Sequence, residues 1–189
     1  MSRIDEYRAY LCSHDEWISY LLQESGLPGP RANLELAAAV AEEGDLKFFQ
    51  ECLSYDQPGL ATNVPTDYLV FCGVVGTGKL LAKGDPSGLP ILRQYASDAR
   101  WRLREGVALG LQYLGAQDMP ALIAEMAEWS QGNFYEQRAA AAALCEPKLL
   151  KREDEVVRVL EILDAITAAI PHVNERKRDD FIALRKGLG

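Results

Sequence analysis

The sequence has little of what protein metal sites are built from. Its 189 residues include only two histidines, His14 and His172, and four cysteines, with no Cys-x-x-Cys pair. Zinc sites use clusters of these residue types at short spacings, so the sequence predicts no metal site and no cofactor. The four cysteines, Cys12, Cys52, Cys72 and Cys145, lie in apolar helical segments and are predicted to be free, buried, reduced thiols.

Long apolar runs are also missing. No stretch of 18 apolar residues occurs, and the N-terminus, Met-Ser-Arg-Ile-Asp-Glu, is charged and has no apolar signal region. The hydrophobic content of 48% is high enough for a folded core, because disordered chains are poorer in apolar residues. We therefore expect a folded cytoplasmic protein that does not contact membranes.

Strand-like alternation of apolar and polar residues is scarce, whereas helical spacing recurs along the chain. Glycine and proline divide this pattern into about ten helices, which pair into about five hairpins with short connections. The predicted helices span 3–24, 31–43, 65–83, 87–97, 98–114, 134–145 and 153–170, with three more beginning at Asp45, at Asp118 and near Asn174. Turns are predicted at 26–30 and at Pro58-Gly59, among others.

One helical motif occurs twice, with copies 34 residues apart. The first copy begins at Trp101 and has Arg104 three residues later, and the second begins at Tyr135 and has Arg138 at the equivalent position. Small and apolar residues follow in both copies. A fixed period of this length is typical of helical hairpins that stack and bury a shared core.

On these residues the chain resembles the HEAT-repeat family from about residue 30 onward. The resemblance is carried by Asp98, Trp101, Arg104, Val107, Ala108 and Leu111 in one copy, and by Asn133, Tyr135, Arg138, Ala141, Ala142 and Cys145 in the other. It implies an all-α fold, an α-α superhelix of about five helical hairpins, in a single domain over residues 1–189. Residues 1–30 match less well and fit an atypical N-terminal cap. Residues 184–189 echo 103–106, which favours a chain cut within a repeat.

The apolar positions of these helices predict one continuous core. Its predicted members are Val107, Ala108, Leu111, Leu122, Met126, Ala141, Ala142, Leu160 and Leu163. In the helix at 153–170, the predicted apolar face consists of Val156, Val159, Leu160, Leu163, Ile166 and Ile170.

The segment Gly73-Val-Val-Gly-Thr-Gly-Lys79 has the spacing of a phosphate-binding loop. Such a loop needs a serine or threonine after the lysine to hold magnesium, and Leu80 stands there. No alternation of strands and helices follows that would build a parallel sheet. We therefore interpret residues 68–83 as a helix that binds no nucleotide and whose glycines let a neighbouring helix pack closely.

The net charge of −8 disfavours general nucleic-acid binding. Residues 1–90 hold 6 basic and 13 acidic residues, whereas residues 91–189 hold 14 and 15. Several arginines nevertheless fall close together around the first motif copy, where arginine and tryptophan are residue types that often dominate binding. The candidate binding residues are Arg100, Trp101, Arg102, Arg104 and Glu105.

Each of these residues also has a structural interpretation. Arg104 and Arg138 recur, which favours a ladder of arginines bonded to neighbouring repeats. Arg100 and Arg102 have no equivalents in the second copy, so they are the better candidates for an anion contact. The alternative is that they pair with acids of the acidic N-terminal half and hold the repeats together.

Two hypotheses for function follow. The first is a non-catalytic binding scaffold, with no catalytic residues, whose concave helical surface grips a protein or peptide. The second is a DNA-binding protein similar to the HEAT-like alkylation-repair glycosylases, which pair concave tryptophans with an acidic residue. Trp101 and Glu105 form one such pair, although aspartate is usual there. Neither Trp17 nor Trp129 offers a second aromatic wall.

Overall fold

A computed structural model describes residues 2–57 and 62–189, and in these ranges the protein is all-helical, with eleven α-helices and no strand. The predicted all-α class is confirmed. The turn predicted at Pro58-Gly59 lies outside the described residues. None of the described helices combines the length and the apolar character that a membrane crossing requires.

The helices follow one another with short connections. They are α1 Arg3–Ser13, α2 Trp17–Glu24, α3 Leu34–Glu43, α4 Leu46–Ser54, α5 Pro65–Ala82, α6 Gly88–Ala96, α7 Trp101–Gln117, α8 Met119–Trp129, α9 Phe134–Leu144, α10 Glu153–Ala169 and α11 Asp179–Leu188, with a short 3-10 helix Ile170–His172 after α10. Most predicted helices are present with ends shifted by a few residues. Several begin at polar caps, as at Asp45, Asp118 and Asn133.

The predicted helix 3–24 is wrong, because the chain breaks after α1 and starts again at α2. The backbone of His14 is extended, and the indole N–H of Trp17 donates to the carbonyls of Leu11 and His14 at 3.0 and 2.6 Å. The Ser13 hydroxyl bonds to the carbonyls of the preceding turn. Side chains therefore satisfy carbonyl groups that a continuous helix would have bonded through its backbone.

The helices pack in two layers. Helices α3, α5, α7, α9 and α11 contact one another in that order, with α1 beside α3, and we refer to these five as the odd-numbered layer. Helices α4, α6, α8 and α10 pack against it. The odd-numbered helices run in the same direction, because residues at their N-terminal ends meet: Tyr68 bonds to Asn33, and Phe134 packs on Phe181.

Helix α5 lies at the centre of the molecule and is buried on every side from Asp67 to Gly78. Its glycines permit this burial. A Cβ on Gly76 would lie 2.2 Å from Cε1 of Phe49 in α4, and a Cβ on Gly78 would lie 2.2 Å from the Cα of Gly110 in α7. The segment that matches a phosphate-binding loop is therefore part of a helix, as predicted, and its glycines serve close helix packing.

Most of the predicted core is found, but one assignment is wrong. Val107, Leu111, Leu122 and Met126 lie in the core cluster, whereas Leu160 is 53% exposed. Ala108 and Ala141 are buried, and Ala142 and Leu163 are half-buried. The buried face of α10 consists of Glu155, Val159, Ile162 and Ile166. This face is rotated from the predicted one because α10 packs mainly against α8 and covers only the edge of the layer.

Candidate functional site

The predicted site residues come together at the start of α7, and Arg100 is the most heavily bonded of them. Its Nη2 lies 2.7 Å from Oδ1 of Asp56 and 2.8 Å from Oδ2 of Asp98, and its Nη1 lies 3.4 Å from Oδ1 of Asp67. Burial raises the pKa of Asp98, but hydrogen bonds from Arg100 outweigh it and leave this pKa below its usual value. One guanidinium thus faces three carboxylates.

Arg102 is 6% exposed and is also bonded within the protein. Its Nη2 donates to the carbonyl of Gly29 and to Oδ1 of Asn63, at 2.5 and 2.9 Å. Its guanidinium lies 4.4 Å from the ring centroid of Trp101, within the range of a cation–π contact. Trp101 itself is 50% exposed, so the ring shields the arginine and offers its other surface to solvent.

Arg104 joins α7 to its own preceding loop and to α9. Its Nη1 donates to the carbonyls of Asp98 and Ala99, and its guanidinium lies 4.7 Å from the ring centroid of Tyr135. The three arginines therefore have internal partners, which fits the structural interpretation of these residues. A ligand-binding role for Arg100, Trp101, Arg102, Arg104 and Glu105 stays a prediction.

The space beside this arginine cluster, by which we mean Arg100, Arg102 and Arg104, is small. A cavity of about 120 Å³ lies there, lined by Thr62, Asn63, Asp67, Ala99, Arg100, Trp101, Arg102 and Leu103. Ligand sites in proteins are commonly about 300–1,000 Å³. The cavity is too small for a peptide segment.

A larger opening, which the sequence did not reveal, crosses the odd-numbered layer. We call it the α3–α7 groove; it has a volume of about 340 Å³. It is lined by Leu34, Ala37 and Ala38 of α3, Val75 of α5, Leu109, Gln112, Tyr113 and Ala116 of α7, and Glu146, Lys148 and Leu149 after α9. Most of these side chains are apolar, which is typical of a binding groove.

The glycines of α5 explain why the groove exists. Gly73 and Gly76 face Leu53 and Phe49 of α4, so α5 approaches the second layer closely. Its Val75 is then the floor of the groove, and α3 and α7 form the walls. The groove is built from segments far apart in sequence.

The charged groups at the rim are partly paired. The Nζ of Lys79 lies 2.5 Å from Oε1 of Glu42 and 4.7 Å from the ring centroid of Tyr113. Burial raises the pKa of Tyr113 above its usual value. These contacts hold the Tyr113 ring at the edge of the groove as an uncharged phenol.

The groove continues along α7 toward the predicted site. The accessible residues Trp101, Glu105, Leu109, Gln112 and Ala116 recur every three or four positions, so they lie on one face of the helix. The α3–α7 groove and the Trp101–Glu105 pair therefore share one open surface. This spacing is visible in the sequence, but the apolar residues in it cannot be told from buried core positions without the structure.

Two cations on this surface have no side-chain partner among the described residues: the exposed Lys148 of the groove lining, and Arg138. Arg138 is half-buried, it makes no ion pair or side-chain hydrogen bond with the described residues, and its Nη1 is buried and unsatisfied. Burial and the charge of Arg104 lower its pKa, while the charge of Glu105 raises it. Arg138 lies one helical turn before Ala142, whose carbonyl accepts from Gln112 of the groove.

A second cleft, of about 450 Å³, lies between α1 and α4 and is lined by Cys12, Glu43 and Asp45, among others. Several of its polar groups are already bonded. Glu43 accepts from Arg8 and from the Cys12 thiol, and Asp45 caps α4. The bond to Glu43 raises the pKa of Cys12, which disfavours the reactive thiolate. The predicted burial is correct for Cys52 and Cys72 and wrong for Cys12 and Cys145, which are exposed.

Comparison with known protein families, with curated proteins and with solved structures found no match. Among residues 2–57 and 62–189, no three or more His, Cys, Asp or Glu side chains are arranged to hold a metal ion.

Proposed function

We propose that this protein is a non-catalytic binding protein that holds a peptide segment of a partner protein on the open face of its odd-numbered layer. The observation that carries the proposal is the α3–α7 groove, an apolar opening of about 340 Å³ that continues into an accessible stripe on α7. The parallel stacking of the odd-numbered helices supports a HEAT-like superhelix, in which such a layer lines the concave surface.

The groove suits apolar side chains of a peptide. Its floor and walls include Val75, Leu34 and Leu109, and burying apolar surface supplies about 25 cal/mol per Å². Gln112 offers a polar contact beside them. Its amide nitrogen donates to Ala142, which leaves its amide oxygen as an acceptor for a peptide N–H.

DNA binding is the second candidate, because Trp101 is half exposed and Glu105 lies one turn away on the same face. The charges of the chain favour DNA binding less than peptide binding. The arginines next to Trp101 are bonded to carboxylates and carbonyls, and the chain carries a net charge of −8. Phosphate contacts need available cations, and binding through them weakens with salt.

Selection from a phage-displayed library of random dodecapeptides tests the proposal. Ala116 is exposed at the groove, so Ala116→Trp fills the opening without entering the core. Ala124→Trp places the same side chain at an exposed position of α8, outside the groove, and is the matched control. We expect the wild type and Ala124→Trp to enrich peptides that share an apolar residue. With Ala116→Trp, the enrichment of these peptides should fall at least tenfold.

Two results would reject the proposal. One is a selection in which Ala116→Trp enriches the same peptides as the wild type. The other is the absence of peptide enrichment together with binding of a duplex DNA oligonucleotide that falls steeply with salt, which favours the DNA-binding alternative.

A further inference from the structure

Arg138 differs from every other arginine near the α3–α7 groove in having no partner. Arg100 has three carboxylates, and Arg102 and Arg104 have backbone and side-chain acceptors. Arg138 makes none of these contacts with the described residues, and its Nη1 is buried without an acceptor. The Nε of Arg102 and of Arg104 also lacks an acceptor, but those two guanidinium groups are bonded through another nitrogen. Because Arg138 is only half-buried and has no protein acceptor, an arriving anion would not have to displace an existing partner.

The surroundings of Arg138 hold its side chain in place. Gly187 of α11 lies against its stem, since a Cβ on that glycine would be 3.1 Å from Cγ of Arg138. Arg104 is also near, because its charge acts on Arg138 and its guanidinium stacks on Tyr135 of the same helix. Packing of the stem reduces the conformational freedom that the side chain loses on binding.

The nearest acid does not neutralise Arg138. The charge of Glu105 acts on Arg138, yet none of their nitrogen and oxygen atoms come within the 4.0 Å of an ion pair. Arg104 adds a second positive charge beside it. This end of the open surface therefore has uncompensated positive charge on a chain that is acidic elsewhere.

The distance to the groove is short. Arg138 precedes Ala142 by one helical turn, about 6 Å along the axis, and Ala142 is bonded to Gln112 at the groove. An extended peptide advances about 3.3 Å per residue. The rise from Ala142 to Arg138 corresponds to about two peptide residues, and the step from the groove to Ala142 adds about one more.

We infer that Arg138 recognises a carboxylate side chain of the bound peptide, two or three residues from the apolar side chain that occupies the α3–α7 groove. This inference rests on the proposed function and adds the chemical class of the partner: a segment with an apolar residue and an acidic residue at that spacing. Arginine suits this role because its planar guanidinium forms paired bonds with a carboxylate.

Repeating the dodecapeptide selection with Arg138→Gln tests the inference. Arg158→Gln is the matched control, because Arg158 is exposed on α10 and makes no ion pair or hydrogen bond with the described residues. We expect the wild type and Arg158→Gln to enrich Asp or Glu two or three residues from the apolar residue. Arg138→Gln should keep the apolar residue and lose the acidic one.

One selected peptide, made synthetically, gives the quantitative test. We expect Arg138→Gln to weaken its binding about tenfold or more, and to have little effect on a version of the peptide with the acid replaced by alanine. Arg138→Lys should recover only part of the loss, because it restores the charge without the paired geometry. Thermal melting of both variants confirms that they are folded.

The failures of the two proposals are distinguishable. The inference is overturned if Ala116→Trp abolishes binding of the selected peptides but these peptides contain no acidic residue, or bind Arg138→Gln as tightly as the wild type. Either result leaves the proposed function in place. Enrichment of the same peptides by Ala116→Trp overturns the proposed function, and the inference with it.

Discussion

The arginine cluster and the α3–α7 groove both involve α7, and they differ in how their polar groups and apolar surfaces are used. In the cluster, Arg100 and Arg104 are held by carboxylates and carbonyls of neighbouring segments. In the groove, apolar residues such as Leu109 and Ala116 face open space. The charged residues that are concentrated in the sequence therefore bond mainly within the protein, whereas the groove lies farther along α7.

The largest expected effect is on the core that supports both regions. Leu111 is fully buried in α7, so Leu111→Ala should lower the free energy of unfolding by about 2–5 kcal/mol, measured by urea denaturation. Leu160→Ala is the matched control, because Leu160 is 53% exposed and its loss should cost less than about 0.5 kcal/mol. Equal losses for the two variants would show that the packing of α7 or α10 is misassigned.

Gly78→Ala tests the close contact between α5 and α7, the helices that form the floor and one wall of the groove. The added Cβ would lie 2.2 Å from the backbone of Gly110, so α5 and α7 must move apart. We expect a loss of about 3 kcal/mol by urea denaturation, at the upper end for overpacking. Gly84→Ala is a control with free space around the new Cβ; the positive φ of Gly84 should cost about 1 kcal/mol. A smaller loss for Gly78→Ala than for this control would contradict the close α5–α7 packing.

Arg100→Gln breaks the cluster and leaves three carboxylates without their cation. We expect a loss of about 1–2 kcal/mol at neutral pH, less than for a fully buried pair, because these groups are partly exposed to water. Exposed Arg158→Gln should leave the melting temperature unchanged. If both variants melt like the wild type, the cluster does not stabilise the fold.

The same variant has a predicted pH dependence. The pKa of Asp98 is lowered in the folded protein, so its stabilising contribution is present above the unfolded value of about 4 and is lost as pH falls through the folded value. The wild type should therefore lose more stability than Arg100→Gln when the pH is lowered from neutral to below 4. Melting curves measured across this pH range test the prediction. Equal losses of stability in the wild type and in Arg100→Gln would show that Arg100 does not lower the pKa of Asp98.

Local sequence patterns predicted most of the helices, because apolar periodicity and capping residues act over a few residues. They did not predict the break between α1 and α2, where the Trp17 indole replaces backbone bonding. The rotation of α10 was missed because Leu160, which was predicted to be buried, is as apolar as Ile162, which is buried instead. The α3–α7 groove could not be predicted, because three helices far apart in sequence must meet before it exists.

The central claim is that the open surface around the α3–α7 groove binds a peptide and the arginine cluster supports the fold. It is tested most directly by the affinity of one selected peptide for Ala116→Trp and for the Arg100→Gln, Arg102→Gln double variant, at a temperature where both are folded. We expect Ala116→Trp to weaken binding at least tenfold, and the double variant to melt earlier with unchanged affinity. Loss of affinity in the double variant alone, with Ala116→Trp binding like the wild type, would contradict this account.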